Sequence, residues 1–146
     1  MNRSPNDILR DARLVVSPET FHVVSVSHEK WTELISDPAL SPRMDSEFLI
    51  FKDNWEVTIV VDEQDFSRLR PGLGDAPVEG GFRLLSFDAE MDFDVIGFMA
   101  AVSGILADAG ISVLPFSSFR RDHVLVSQSD LASALKAFRG IVSEVC

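Results

Sequence analysis

Residues 92–126 read DFDVIGFMAAVSGILADAGISVLPFSSFRRDHVLV, and this stretch decides the fold. Val95, Phe98, Met99, Val102, Ile105, Leu106 and Ala109 recur at the i, i+3, i+4, i+7 spacing of a helix lying on a sheet. Asp94 stands where a side chain caps a helix start, and Gly110 stands where a left-handed residue ends one. ISVLPFSS and DHVLVS follow as two strands, joined by a connection short enough for antiparallel pairing.

Moving outward, Phe82–Glu90 alternates as a strand. Ser127 with Asp130 resembles a capping pair before a closing helix that turns Leu131, Ala134, Leu135, Phe138 and Val142 inward. Strand, helix, strand, strand, helix is the order of a ferredoxin-like βαββαβ unit.

The first half repeats the outline more weakly. Ser4 and Pro5 open a helix expected to run to Val16, and Phe21–Ser27 alternates as a strand. Trp31, Leu34 and Ile35 have helical spacing, but Pro38 and Pro42 predict a short, degraded helix and a loop. Glu47–Val61 reads as a hairpin, with Asp53-Asn54 taking the positive φ angles of a tight turn. Residues 65–70 predict one helical turn, and the glycine- and proline-rich RPGLGDAPVEGG ending at Gly81 predicts a linker. The expected organisation is a degenerate unit with an N-terminal helix over residues 1–70, a linker over 71–81 and a second unit over 82–146. The fold class is α+β: ferredoxin-like units in tandem, an antiparallel sheet and helices on one face.

With 46% hydrophobic residues and a mean hydropathy of +0.14, the chain reads as fully folded. Its 13 basic and 23 acidic residues give a formal charge of −10. That balance argues against nucleic acid and anionic membrane, which need a cationic face. Arg10 and Arg13, with Asp7 and Asp11, interrupt any secretory apolar run near the start, and Cys146 is the single cysteine. A reducing cytoplasm is the expected location.

His22, His28 and His123 lack metal-ligand spacing, and no nucleophile–base set is legible. The expectation is therefore no catalytic residue, no metal and no cofactor. His123 follows Asp122 at a strand start, which leaves a contact between them open, and it reads as a structural histidine, not a catalytic one. Arg120-Arg121, the one adjacent basic pair, reads as a turn able to meet a carboxylate ligand or a partner chain. At Asp94–Gly97, unpaired N–H donors opening a helix suit a carboxylate, and Asp92 or Asp94 suits an ammonium group. The plainer alternative is that Asp94 only caps the helix and Gly97 only permits close packing.

AEMDFDVIGFMAAVSGILADAGISV and DHVLV, with the order of elements, resemble the ACT domain, a regulatory module that binds amino acids. Within that group these residues look like the small bacterial proteins with two ACT-like units in one chain, and the ACT units of the animal cytosolic arginine sensor are similar. The resemblance is specific from Phe82 to Ala137 and vague before Asp65. It implies a ligand site where the first strand turns into the first helix, often at an interface between units. Here that means Asp92, Phe93, Asp94, Val95, Ile96 and Gly97, with Phe116, Ser117 and Ser118 from the facing strand. Phe119-Arg120-Arg121 departs from the aromatic or acidic residues of relatives, which bears on ligand identity. The expected function is non-enzymatic regulation through an amino acid or similar small carboxylate, with homodimerisation through sheet edges or helices left open. The alternative is an interaction or dimerisation scaffold without a ligand.

Overall fold

The computed structural model describes residues 3–146. It divides into two compact units: Met1–Pro18 with Phe82–Cys146, and Glu19–Gly81. The second is thus inserted into the chain of the first. This division differs from the one expected, because residues 13–16 end the first helix early and become a strand of the C-terminal unit.

In the outer unit, α1 (Pro5–Asp11) opens with Ser4, whose Oγ accepts the Asp7 N–H at 3.2 Å. β1 (Arg13–Val16) follows at once, since Leu14, Val15 and Val16 favour a sheet. The remainder is β5 (Val78–Asp88), α4 (Phe98–Asp108), β6 (Val113–Ser117), β7 (Asp122–Ser127), α5 (Leu131–Phe138) and β8 (Glu144–Val145). The strand order is β8-β1-β5-β7-β6. All pairs are antiparallel except β1 with β8, so the sheet is mixed, not purely antiparallel as expected. β1 occupies the place beside β5 that the closing strand of a βαββαβ unit would take.

Helices α1, α4 and α5 deliver Leu9, Val102, Leu106 and Phe138 onto the sheet face carrying Leu85 and Phe87, all fully buried. Each such side chain contributes about 1.5–3 kcal/mol through burial. Phe87 meets Phe98 and Phe138 edge-on at centroid distances of 5.7 and 5.2 Å. Gly110 ends α4 as expected, with φ 75°. Its N–H reaches the Ala107 carbonyl and that of Ile111 reaches Leu106, each at 2.9 Å, which satisfies the last carbonyls.

The inserted unit contains β2 (Phe21–Val26), α2 (His28–Ile35), β3 (Leu49–Lys52), β4 (Val57–Asp62) and α3 (Glu63–Leu73). The first residues of β5, 78–81, add its last strand, giving the order β3-β4-β2-β5. It is a complete βαββαβ unit, not a degenerate one. Leu34 of α2 and Phe66, Leu69 and Leu73 of α3 pack on Val24, Val57, Ile59 and Val61.

Several local expectations are corrected. The stretch 71–81 is the last turn of α3 and the opening of β5, not a linker. Pro71 sits inside α3, where the loss of one N–H is offset by the burial of Leu69 and Leu73. The 53–56 turn has no positive φ. Instead the Asp53 carboxylate accepts the Trp55 and Glu56 N–H groups, both at 2.8 Å, and these bonds lower its pKa. Neither Ser127 nor Asp130 caps α5: Ser127 bonds Ser129, and a 3₁₀ turn at Gln128–Asp130 leads into the helix. Val142 lies beyond α5 but is buried.

Candidate functional site

The corner between β5 and α4 is open. α4 begins at Phe98, one turn later than the sequence suggests, because Gly97 adopts φ 85° and breaks the apolar run. Its left-handed backbone redirects the chain into the helix. No side chain caps this start, and Asp94 lies in a turn closed by Val95 N–H to the Asp92 carbonyl at 3.2 Å. The expectation that Asp94 caps the helix is therefore corrected. The N–H groups of the first turn are left facing outward with the positive end of the helix dipole. The matching start of α2 differs: Ser27 Oγ accepts the Lys30 N–H at 3.0 Å. Of the two helix starts, only that of α4 lacks a side-chain cap.

A cavity of about 430 Å³ lies at this corner. Of the expected site residues, Asp92, Phe93, Val95, Gly97, Ser117 and Ser118 line it. Asp94 and Ile96 do not, and both are exposed. Phe116 also lies outside it and stacks on His123 at 5.2 Å. The sequence reading left Met91, Phe98, Met99 and Phe119 out of the site, although they line the cavity, as do Arg120 and Arg121, which it read only as a turn able to meet a carboxylate ligand or a partner chain. The basic pair was visible in sequence. Its place was not, because only the pairing of β6 with β7 brings that turn to the α4 end.

Hydrogen bonds fix this arrangement. Met91 N–H donates to the Arg120 carbonyl at 2.9 Å, tying the β5–α4 connection to the β6–β7 turn. Asp88 accepts from Arg13 Nη2 at 2.7 Å and from Arg121 Nε at 2.9 Å. Those two guanidinium groups hold its carboxyl below the usual carboxylate range, and Asp88 in turn raises the pKa of Arg13. His123 lies between hydroxyls, with Nδ1 2.7 Å from Ser86 Oγ and Nε2 2.8 Å from Ser118 Oγ. Asp122 accepts from Ser117 Oγ at 2.5 Å.

Two charged groups of the lining remain uncommitted. Asp92 and Arg120 have no ion-pair partner among the described residues; the Arg120 guanidinium lies 5.3 Å from the centroid of the Phe119 ring. Phe93 and Phe119 meet edge-on at 4.8 Å and are 78% and 67% exposed. An adjoining cavity of about 200 Å³ shares Met91, Asp92, Phe93, Phe119 and Arg120 with the first. The corner thus offers amide donors, one acid, one base and an aromatic rim. Among the described residues no acidic, histidine or cysteine group forms a metal site, and no helix is long and apolar enough to cross a membrane.

Comparison with known proteins places this geometry. The family model described as ACT domain matches residues 78–140. No curated protein matches the sequence. Among solved structures, a protein from Agobacterium tumefaciens is 20% identical with a TM-score of 0.70, covering 93% of this chain and 92% of its own. A protein of unknown function from Vibrio cholerae is 18% identical with a TM-score of 0.69, covering 94% and 95%. The ligand-free regulatory subunit of aspartate kinase from Thermus thermophilus is 12% identical with a TM-score of 0.64, covering 91% and 98%. At these identities the likeness is one of fold. Residues 78–140 match the model of the ACT domain, within a chain whose α+β fold is similar to that of the regulatory subunit of an aspartate kinase.

Proposed function

We propose that this protein is a regulatory, non-catalytic binder of an amino acid or similar small carboxylate, and that the ligand occupies the corner between β5 and α4. The carrying observation is the uncapped start of α4 facing a cavity of about 430 Å³ that Asp92 also lines. That volume falls within the range of small-molecule sites, roughly 300–1,000 Å³. The ligand carboxylate sits on the N–H groups of Phe98 and Met99, and its ammonium group on Asp92. Gly97 keeps the backbone approachable, and Ser118, oriented by His123, supplies a hydroxyl. The ACT match and the regulatory subunit among the structural relatives support a regulatory role.

A thermal-shift screen against the twenty amino acids at millimolar concentration tests this. A ligand at a hundred times its Kd stabilises by about 2.7 kcal/mol. For a chain of this size that moves Tm by several degrees. No shift with any amino acid overturns the reading.

One observation favours a second role at the same corner. Ile96 is 85% exposed and lies three residues after Phe93, which forms an exposed apolar rim with Phe119. A rim of this kind suits a homodimer contact. Light scattering of wild type and Ile96→Ser tests it: a dimer that the substitution dissociates supports the contact, and a wild-type monomer removes it.

A further inference from the structure

We infer that the amino acid taken at this corner is dicarboxylic, and that Arg120 is the residue that selects it. The inference rests on the binding reading above and deepens it. A neutral amino acid needs two charged contacts, one for its carboxylate and one for its ammonium group. The α4 start and Asp92 supply both. The corner holds a third.

Of the charged side chains lining the cavity, Arg121 is committed to Asp88 and Asp122 to Ser117. Arg120 is not committed to any carboxylate among the described residues. Its guanidinium carbon lies 5.3 Å from the centroid of the Phe119 ring, a contact that requires none of its N–H donors. The planar fork remains available for two parallel hydrogen bonds to one carboxylate, the geometry in which arginine outperforms lysine. Arg120 also lines the adjoining cavity of about 200 Å³, whose walls include Phe93 and Phe119. A ligand held at the helix start projects its side chain into that lobe, and an acidic end group there meets Arg120.

The overall charge of −10 opposes an anionic ligand at long range. At physiological salt that field decays over about 8 Å, whereas a direct guanidinium–carboxylate contact is far less screened. Local pairing therefore decides. A basic ligand would gain from Asp92 but would bring a second positive charge beside Arg120. Its binding is correspondingly disfavoured.

Calorimetric titration of the full chain with L-aspartate, L-glutamate, L-asparagine, L-glutamine, L-leucine and L-arginine tests the inference, in wild type, Arg120→Gln and Arg120→Lys. The acids share their shape with the corresponding amides, so the comparison isolates charge. The expected result is an acid binding at least about tenfold more tightly than its amide, a difference of about 1.4 kcal/mol. That preference should vanish in Arg120→Gln and return in part in Arg120→Lys. Arg120 is exposed, and an unliganded Tm matching wild type verifies the fold of each variant. An amide, L-leucine or L-arginine binding as tightly as the acids overturns dicarboxylate selection and leaves the amino-acid reading standing. Acid binding unchanged in Arg120→Gln overturns the role of Arg120. If none of the six ligands binds, the inference is overturned. The screen of all twenty amino acids then decides separately whether the broader reading also falls.

Discussion

Gly97 shapes the candidate site more than any other single residue. At φ 85° it costs little as glycine, whereas a side chain there brings left-handed strain of about 1–2 kcal/mol. A Cβ at this position would meet Pro5 Cγ at 3.6 Å, an ordinary contact, so strain and not collision sets the cost. Gly97→Ala is therefore expected to lose about 1–2 kcal/mol in urea denaturation, and a loss under about 0.3 kcal/mol contradicts the backbone argument. Asp88 yields a pH prediction. Hydrogen bonds from Arg13 and Arg121 lower its pKa in the folded state. Its contribution is thus fully present above the unfolded value of about 3.9 and disappears as pH falls through the lower folded value. The Tm gap between wild type and Asp88→Asn should be constant from neutral pH to about pH 5 and close on further acidification. A gap that widens in acid contradicts the sign.

Among the elements, α3 is held by the segment before β3. Asp62 and Asp65 are each 2% exposed, and Arg43 binds both, through Nη2 at 2.7 Å and Nε at 2.8 Å. Asp62 also caps the helix by accepting the Asp65 N–H at 2.8 Å. Removing Arg43 strands two buried carboxylates, a costlier change than losing an exposed pair. Arg43→Ala should lower Tm by more than Arg10→Ala, which breaks only the exposed Arg10–Asp7 pair at 3.3 Å. Equal effects would remove the clasp as a stabilising feature. Nothing local in the sequence marks this clasp, because Arg43 lies 19 and 22 positions from its partners (62 − 43 and 65 − 43). The same limit explains the misread α3, which runs through Pro71 because its partners lie on β2 and β4, whereas α2 is the short helix expected, ending before Pro38. By contrast α4 was legible except at its start, where one left-handed glycine delays the helix.

At the scale of the molecule, one unit interrupts the chain of the other. Local periodicity identified β2, β3, β4, β6, β7 and most of β5 but missed β1 and β8, and it carries no signal for pairing between residues 13–16 and 85–88. For the same reason the sequence divided the chain by position along it. The structural division predicts how fragments behave. Residues 82–146 alone lack Leu9 and Leu14 from their core and β1 from their sheet. That fragment should show little cooperative unfolding by circular dichroism. Joining residues 1–18 through a short flexible linker to residue 82 should restore it. A cooperative transition in residues 82–146 alone would show that β1 is dispensable.

The position of β1 between β5 and β8 also governs what happens during synthesis. Translation at roughly 5–20 residues per second delivers Leu14, Val15 and Val16 on the order of ten seconds before β8 leaves the ribosome. Throughout that interval a short apolar segment waits without its full complement of neighbours, while residues 19–81 are made and emerge behind it. Nascent chains stalled short of residue 144 should accordingly be the ones that chaperones retain.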